Sequence, residues 1–149
     1  GRGGEKKIHE SLPDFEIGKA IPVKHGEKVA IFSTGAIFEE IAEACSVLEN
    51  SGITPTVYTF PTVKPIDKEV IRSVSETHEI IVTCEEHNLS GGFGSAVAEV
   101  LAELPSHARL LRIGMNDEYS TLVGDQKYLR DQYGMSGKKI AEKILSEVK

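Results

Sequence analysis

Glu85-Glu86-His87 and Gly91-Gly92-Phe93-Gly94-Ser95 are the residues of this chain whose types and spacing could do chemistry. A carboxylate beside an imidazole can move protons near neutral pH or ligate a metal. Glycines ahead of a helix let a ligand approach the backbone, and the helix's first N–H groups can hold an anion. Cys84 lies directly before the acidic pair, and a thiolate beside a base is a nucleophile. The elements that must position these groups are the apolar run Ile80-Ile81-Val82 before them and a helical pattern after them, in Ala96, Val97, Val100 and Leu101. Strand, polar tip, flexible turn and helix N-terminus is the layout by which α/β proteins hold ligands at the carboxyl edge of a sheet.

Each motif also has a purely structural reading. The glycine turn is not a dinucleotide fingerprint, because its glycine spacing differs and no acidic residue follows at the required distance after another strand. It lacks the Gly-Lys-Ser/Thr ending of a phosphate-binding loop as well. Its glycines equally permit a tight strand-to-helix turn and close helix packing. Metal binding at Glu85-Glu86-His87 needs a third ligand, and neither a second histidine four residues on nor a cysteine pair is near. A Glu–His tip also serves in hydrogen bonds across a domain or subunit interface. Glu85, Glu86, His87, Gly91, Gly92, Phe93, Gly94 and Ser95 therefore stand as interface or anion-site candidates, with no catalytic residue and no metal assigned. Cys84 continues a buried-strand pattern and Cys45 falls among helical alanines, so both are expected to pack in the core. Ser33-Thr34-Gly35 is expected to cap a helix. Asp117, Glu118 and Asp125 are expected to be solvated loop carboxylates.

Along the chain, residues 1–13 carry glycines, charges and a proline before any periodic signal and are expected to be an extension. Phe15 to Ile21 alternates crudely and predicts an edge strand, followed by a turn at Lys24-His25-Gly26-Glu27. Val29-Ala30-Ile31-Phe32 predicts a strand covered on both faces. Ile37, Ile41, Ala44, Val47 and Leu48 share one helical face, and Asn50-Ser51-Gly52 is a C-terminal stop. Pro55 to Phe60 predicts a strand, and Asp67 an N-cap for a short helix through Val70, Ile71 and Val74. After the strand at Ile80–Thr83 a helix runs to about Leu104. Arg109 to Ile113 predicts the last strand. A final helix carries Ile140, Ala141, Ile144 and Leu145, with Ser136 as its N-cap. Strands alternating with helices argue for a mostly parallel sheet with helices on both faces. The first strand has no crossover helix after it, which makes it an antiparallel edge strand. The reading is one α/β domain over residues 14–149.

The 149 residues carry 17 basic and 23 acidic side chains, for a net charge of −6, with no basic stripe. That gives no support to a nucleic-acid partner. No apolar run reaches the roughly 20 residues of a membrane span, so no membrane partner is expected. Two cysteines without paired spacing suggest reduced thiols and a cytoplasmic protein.

Taken together, four stretches carry a resemblance. Glu85-Glu86-His87-Asn88 with Gly91-Gly92-Phe93-Gly94-Ser95 resembles the strand–turn–helix of the C-terminal domain of transketolase-like thiamine diphosphate enzymes. Phe15-Glu16-Ile17-Gly18-Lys19-Ala20 followed by Gly26 through Gly35 looks like the start of that domain. Tyr58-Thr59-Phe60-Pro61-Thr62-Val63-Lys64-Pro65-Ile66-Asp67 resembles the segment after its second core strand. Leu129, Tyr133-Gly134-Met135-Ser136 and Ile140 are similar to its closing pattern. The likeness covers roughly Asp14 to Val148.

The resemblance implies a three-layer αβα sandwich whose five-stranded, mostly parallel sheet has one antiparallel edge strand. It also implies that thiamine diphosphate and Mg²⁺ sit on other domains of the full enzyme, with none bound by this chain. This domain would then serve architecture and dimer contacts, its partners being the other transketolase domains or subunits in a homodimer. The fragment alone would be inactive. Residues 1–13 would be the linker from the preceding pyrimidine-binding domain, where an arginine contacts the substrate phosphate in related enzymes. That makes Arg2 a substrate-phosphate candidate. The implied activity is transfer of two-carbon ketol units between sugar phosphates. The alternatives are the C-terminal domain of 1-deoxy-xylulose-5-phosphate synthase, that of a 2-oxoacid dehydrogenase β subunit, and a stand-alone small-anion or nucleotide-binding module.

Overall fold

Val29-Ala30-Ile31-Phe32 has no polar alternation, and a strand of that kind is stable only when covered on both faces. In the computed structural model, which describes residues 16–34, 37–85, 92–114 and 136–148, it lies within β2 (Lys28–Ser33), buried from Val29 to Ser33. The described residues add β1 (Ile21–Lys24), β3 (Thr56–Thr59), β4 (His78–Glu85) and β5 (Arg109–Gly114). The sheet order is β1-β3-β2-β4-β5. β2 runs parallel to both β3 and β4, and β4 parallel to β5. β1 is antiparallel to β3 at the edge.

Helices α1 (Phe38–Asn50), α2 (Lys68–Thr77), α3 (Phe93–Ala102) and α4 (Gly137–Glu147) cover the two faces. Ile41, Ala44 and Leu48 of α1 and Ile140, Ala141 and Ile144 of α4 meet Val29, Ile31, Ile80, Val82, Cys84 and Ile113. On the other face Ile71 and Val74 of α2 and Val97, Val100 and Leu101 of α3 meet Ala30, Phe32 and Ile81. The period of two along each strand sends alternate residues to the two cores. Each fully buried aliphatic side chain contributes about 1.5–3 kcal/mol, so burial holds the three layers together. This is the expected αβα sandwich with one antiparallel edge strand.

The helix ends follow local chemistry. The Asp67 carboxylate accepts the Val70 N–H at 3.2 Å, and the Ser136 hydroxyl accepts the Lys139 N–H at 3.2 Å, as expected for N-caps. After α1, Gly52 takes φ +89, a left-handed conformation that glycine adopts without strain.

Two expectations are corrected. The edge strand is Ile21–Lys24, not Phe15–Ile21, because a turn with Gly18 at φ +83 interrupts the earlier stretch. Ser33 and Thr34 do not supply the cap of α1: the N-cap position is Ile37, with no side-chain capping bond, and Gly35 lies outside the described residues. Ser33 closes β2 instead, and its carbonyl accepts the Phe60 N–H at 2.8 Å.

Candidate functional site

β4 sends Ile81, Thr83 and Glu85 toward α3 and Ile80, Val82 and Cys84 toward α1 and α4, as alternation requires. Cys84 and Glu85 therefore point to opposite faces of the sheet and cannot form one nucleophile–base pair. Cys84 is fully buried, and burial pushes its thiol far above the ordinary value. Cys45 is buried too, and its pKa is raised chiefly by burial. Both thiols are core residues, as the sequence predicts.

Glu85 ends β4 and is 2% exposed. Its Oε1 accepts the Phe93 N–H at 2.8 Å and its Oε2 the Gly94 N–H at 2.7 Å. These are N-terminal donors of α3, whose N-cap Gly92 has no side chain to offer them. A negative charge there also meets the positive end of the helix dipole. The anion at this helix N-terminus is thus the chain's own carboxylate. Phe93, the first residue of α3, is 2% exposed, and its ring lies 5.1 Å from that of Phe60, which lies 4.9 Å from Phe32. Its backbone holds Glu85 while its ring anchors the helix to the core.

Two residues that sequence reasoning missed complete the arrangement. Thr83 on β4 and Arg112 on β5 are register partners. Arg112 Nη2 donates to the Ser95 hydroxyl at 2.8 Å, tying β5 to the first turn of α3. A Cβ placed on Gly94 would lie 2.7 Å from Arg112 Nε, 3.1 Å from Thr83 Oγ1 and 3.2 Å from Glu85 Oε2. A guanidinium, a hydroxyl and a carboxylate converge where Gly94 has no side chain. The sequence signal was an arginine in the apolar strand Arg109–Gly114, at an inward register position. Glu86, His87 and Gly91, and Arg2, Asp117, Glu118 and Asp125, lie outside the described residues.

The described residues do not fit a metal diphosphate. The α3 donors that would receive its phosphate oxygens already bind Glu85, whose charge repels a second anion. Among the described residues no group of three or more His, Cys, Asp or Glu side chains could hold a metal ion, and no helix is long and apolar enough to cross a membrane.

Known proteins share this fold and resemble the chain in sequence. The family "Transketolase, C-terminal domain" matches residues 18–140. A protein of Methanocaldococcus jannaschii named as a transketolase C-terminal section is 38% identical over 141 residues, covering 95% of this chain and 43% of that one. The 1-deoxy-D-xylulose-5-phosphate synthase of Caldanaerobacter subterraneus is 34% identical over 149 residues, covering 100% of this chain and 24% of that one. A solved structure described as a split gene transketolase, inactive beta4 tetramer, superposes with a TM-score of 0.77 at 32% identity, over 90% of this chain and 42% of that one. The chain thus spans less than half the length of these relatives. With the family matched over most of its length and the three-layer fold in place, the chain belongs to the transketolase C-terminal domain family.

Proposed function

We propose that this chain acts as the C-terminal, supporting domain of a transketolase-like enzyme that moves two-carbon ketol units between sugar phosphates. In this reading thiamine diphosphate and Mg²⁺ are held by other domains or subunits, and this domain contributes architecture and subunit contacts. The observation that carries it is the Glu85 carboxylate seated on the Phe93 and Gly94 amides. A helix N-terminus that could take an external anion instead holds an internal one, which argues against a stand-alone anion-binding module. The exposed side chains of Val23 and Phe38 support the contact role: both line one groove of about 260 Å³ between β1 and α1, where a neighbouring domain would bury them.

A second reading is favoured by the relative from Caldanaerobacter subterraneus: the same supporting role in a 1-deoxy-xylulose-5-phosphate synthase. Both readings are tested by titrating the purified chain with inorganic pyrophosphate and with thiamine diphosphate plus Mg²⁺ in a calorimeter, and by assaying ketol transfer. The expected result is no saturable binding and no turnover by this chain alone, with turnover appearing once cofactor-binding domains of the family are added. Ketol transfer between sugar phosphates by that assembly, or its formation of 1-deoxy-D-xylulose 5-phosphate, separates the two. Turnover by the isolated chain would overturn both.

A further inference from the structure

A strained turn joins β1 to β2. β1 lies outside β3 and β2 on its far side, so the chain must cross the start of β3 within His25-Gly26-Glu27. It crosses in close contact. The Gly26 N–H donates to Thr56 Oγ1 at 3.0 Å and the Glu27 N–H to the Thr54 carbonyl at 2.9 Å, and a Cβ on Gly26 would run into that carbonyl oxygen. The turn into β2 is then made at Lys28, the one non-glycine residue among those described with a positive φ, +76. Across it the Val29 N–H donates to the Glu27 carbonyl at 2.9 Å. Positive φ under a hydrogen bond between residues two apart is the rare, strained kind of γ-turn. Such strain persists only where the surroundings enforce it. The ladder to β4 is irregular at the same point, shifting register between Lys28 and Val29.

The arm that this turn holds in place, residues 16–24, is lightly fastened. No residue of β1 is buried, and its ladder to β3 shifts register between Pro22 and Lys24. Pro22 has no N–H to give. Ala20 adds one apolar contact with the core. The other ties are polar: the Gly18 N–H to Thr62 Oγ1 at 3.0 Å, the Ala20 N–H to Asp67 Oδ2 at 2.8 Å, and the Lys24–Glu49 pair at 2.6 Å. All these partners sit on the body of the domain, and a second copy of the chain presents the same set.

We infer that residues 16–24 form an exchangeable arm: when the hinge at residues 25–28 straightens, β1 leaves its own β3 and pairs with the β3 of a second copy, giving a two-fold, strand-swapped dimer. Each tie of the arm is remade between the copies, so those contacts cancel and the hinge decides the outcome. Opening it breaks the Gly26 and Glu27 bonds, but His25 and Glu27 are exposed, so water takes over those donors and acceptors. Release of the Lys28 turn is not offset in that way, and a short hinge under strain favours exchange. Straightened, residues 24–28 span about 16 Å, roughly three times the spacing between strands. That length carries the arm clear of its own sheet. The entropy lost on association confines the dimer to high protein concentration.

The test is refolding of the whole chain from urea at rising concentration, with the products sized by light scattering. The dimer fraction is expected to rise about threefold or more between roughly 20 μM and roughly 1 mM, and to persist on dilution because β1 must detach before the copies part. Ile21→Cys/Thr59→Cys places two thiols across the β1–β3 ladder, where these residues are register partners. Oxidised in the dimer, that pair is expected to link two chains on a denaturing gel. Lys28→Gly, which takes positive φ without strain, is expected to cut the dimer fraction about threefold. A dimer whose introduced thiols close within one chain, or a dimer fraction unchanged by Lys28→Gly, would overturn the exchange. So would a parent chain that stays monomeric at every concentration, an outcome that needs no variant to fold.

Discussion

Glu85 and Gly94 depend on each other. Oε2 of Glu85 accepts the Gly94 N–H at 2.7 Å, and a Cβ on Gly94 would lie 3.2 Å from that same oxygen and crowd it. The strand end and the helix start are joined by one buried carboxylate, packed where a side chain at position 94 would crowd it.

The first expectation follows from the charge. Glu85→Gln keeps the volume but turns one carboxylate oxygen into an NH₂ that faces a backbone N–H. Loss of one charge-assisted bond and the donor–donor contact should cost about 2–3 kcal/mol. Urea unfolding measures it, with the midpoint falling and the slope unchanged. A Gln variant as stable as the parent would mean that the carboxylate does not cap α3.

Gly94→Ala tests the other half of the pair. On an open helix this change stabilises by about 1 kcal/mol. Here the new methyl would stand 2.7 Å from Arg112 Nε, which cannot withdraw without moving Nη2 from the Ser95 hydroxyl. The crowding should outweigh the propensity and leave a net loss of about 1–2 kcal/mol. Thermal melts with Gly94→Ala and Arg112→Ala/Gly94→Ala separate the causes: removing the guanidinium should make the added methyl less harmful.

These contacts also show where sequence reading stops. The strand at Val29–Phe32, the α1 stripe and the Asp67 and Ser136 caps were legible because each is set by residues within a few positions of one another. The bond from Glu85 to Gly94 spans nine residues, and the Arg112–Ser95 bond seventeen. Neither leaves a periodic trace. A hint existed: an acidic residue ends a buried strand, and the next helix begins after glycine with no capping oxygen of its own. The edge strand was misplaced because its alternation was short and Gly18 takes a positive φ inside it. The cap at Ser33-Thr34 was misread because the chain continues to Ile37 before the helix begins.

Gly137→Ala should be the costlier glycine substitution. A Cβ there would sit 2.4 Å from Glu43 Cβ and 2.5 Å from the Glu40 carbonyl oxygen of α1. Neither is the tip of a flexible side chain, so the two helices must separate. The expected loss is about 3 kcal/mol, read as a lower midpoint in urea. A midpoint within error of the parent's would show that α4 does not lean on α1 at that point.

Asp67 fastens two elements at once. Oδ1 accepts the Val70 N–H at 3.2 Å and caps α2, while Oδ2 accepts the Ala20 N–H at 2.8 Å just before β1. Asp67→Ala should therefore cost more than a lost cap, about 2–3 kcal/mol against about 1. Hydrogen exchange should show Ala20 and Val70 losing protection together. Loss at Val70 alone would reduce the residue to an ordinary cap.

The thiols give the last expectation, and it separates a packed cysteine from a nucleophile. A reactive cysteine needs a low pKa and access, and Cys84 has neither: burial raises its pKa, with Cys45 and Glu85 adding to the rise, and its side chain is fully enclosed. Cys45 is 8% exposed at the groove beside Lys24, which partly offsets the effect of its burial. At about pH 8 the native chain should therefore react slowly with a thiol reagent, at Cys45 before Cys84, and both should react fully in urea. Mass spectrometry of the labelled peptides assigns the order. If Cys84 is modified faster than the chain unfolds, its strand end must open to solvent, and the carboxylate capping α3 beside it could not be as enclosed as the geometry makes it.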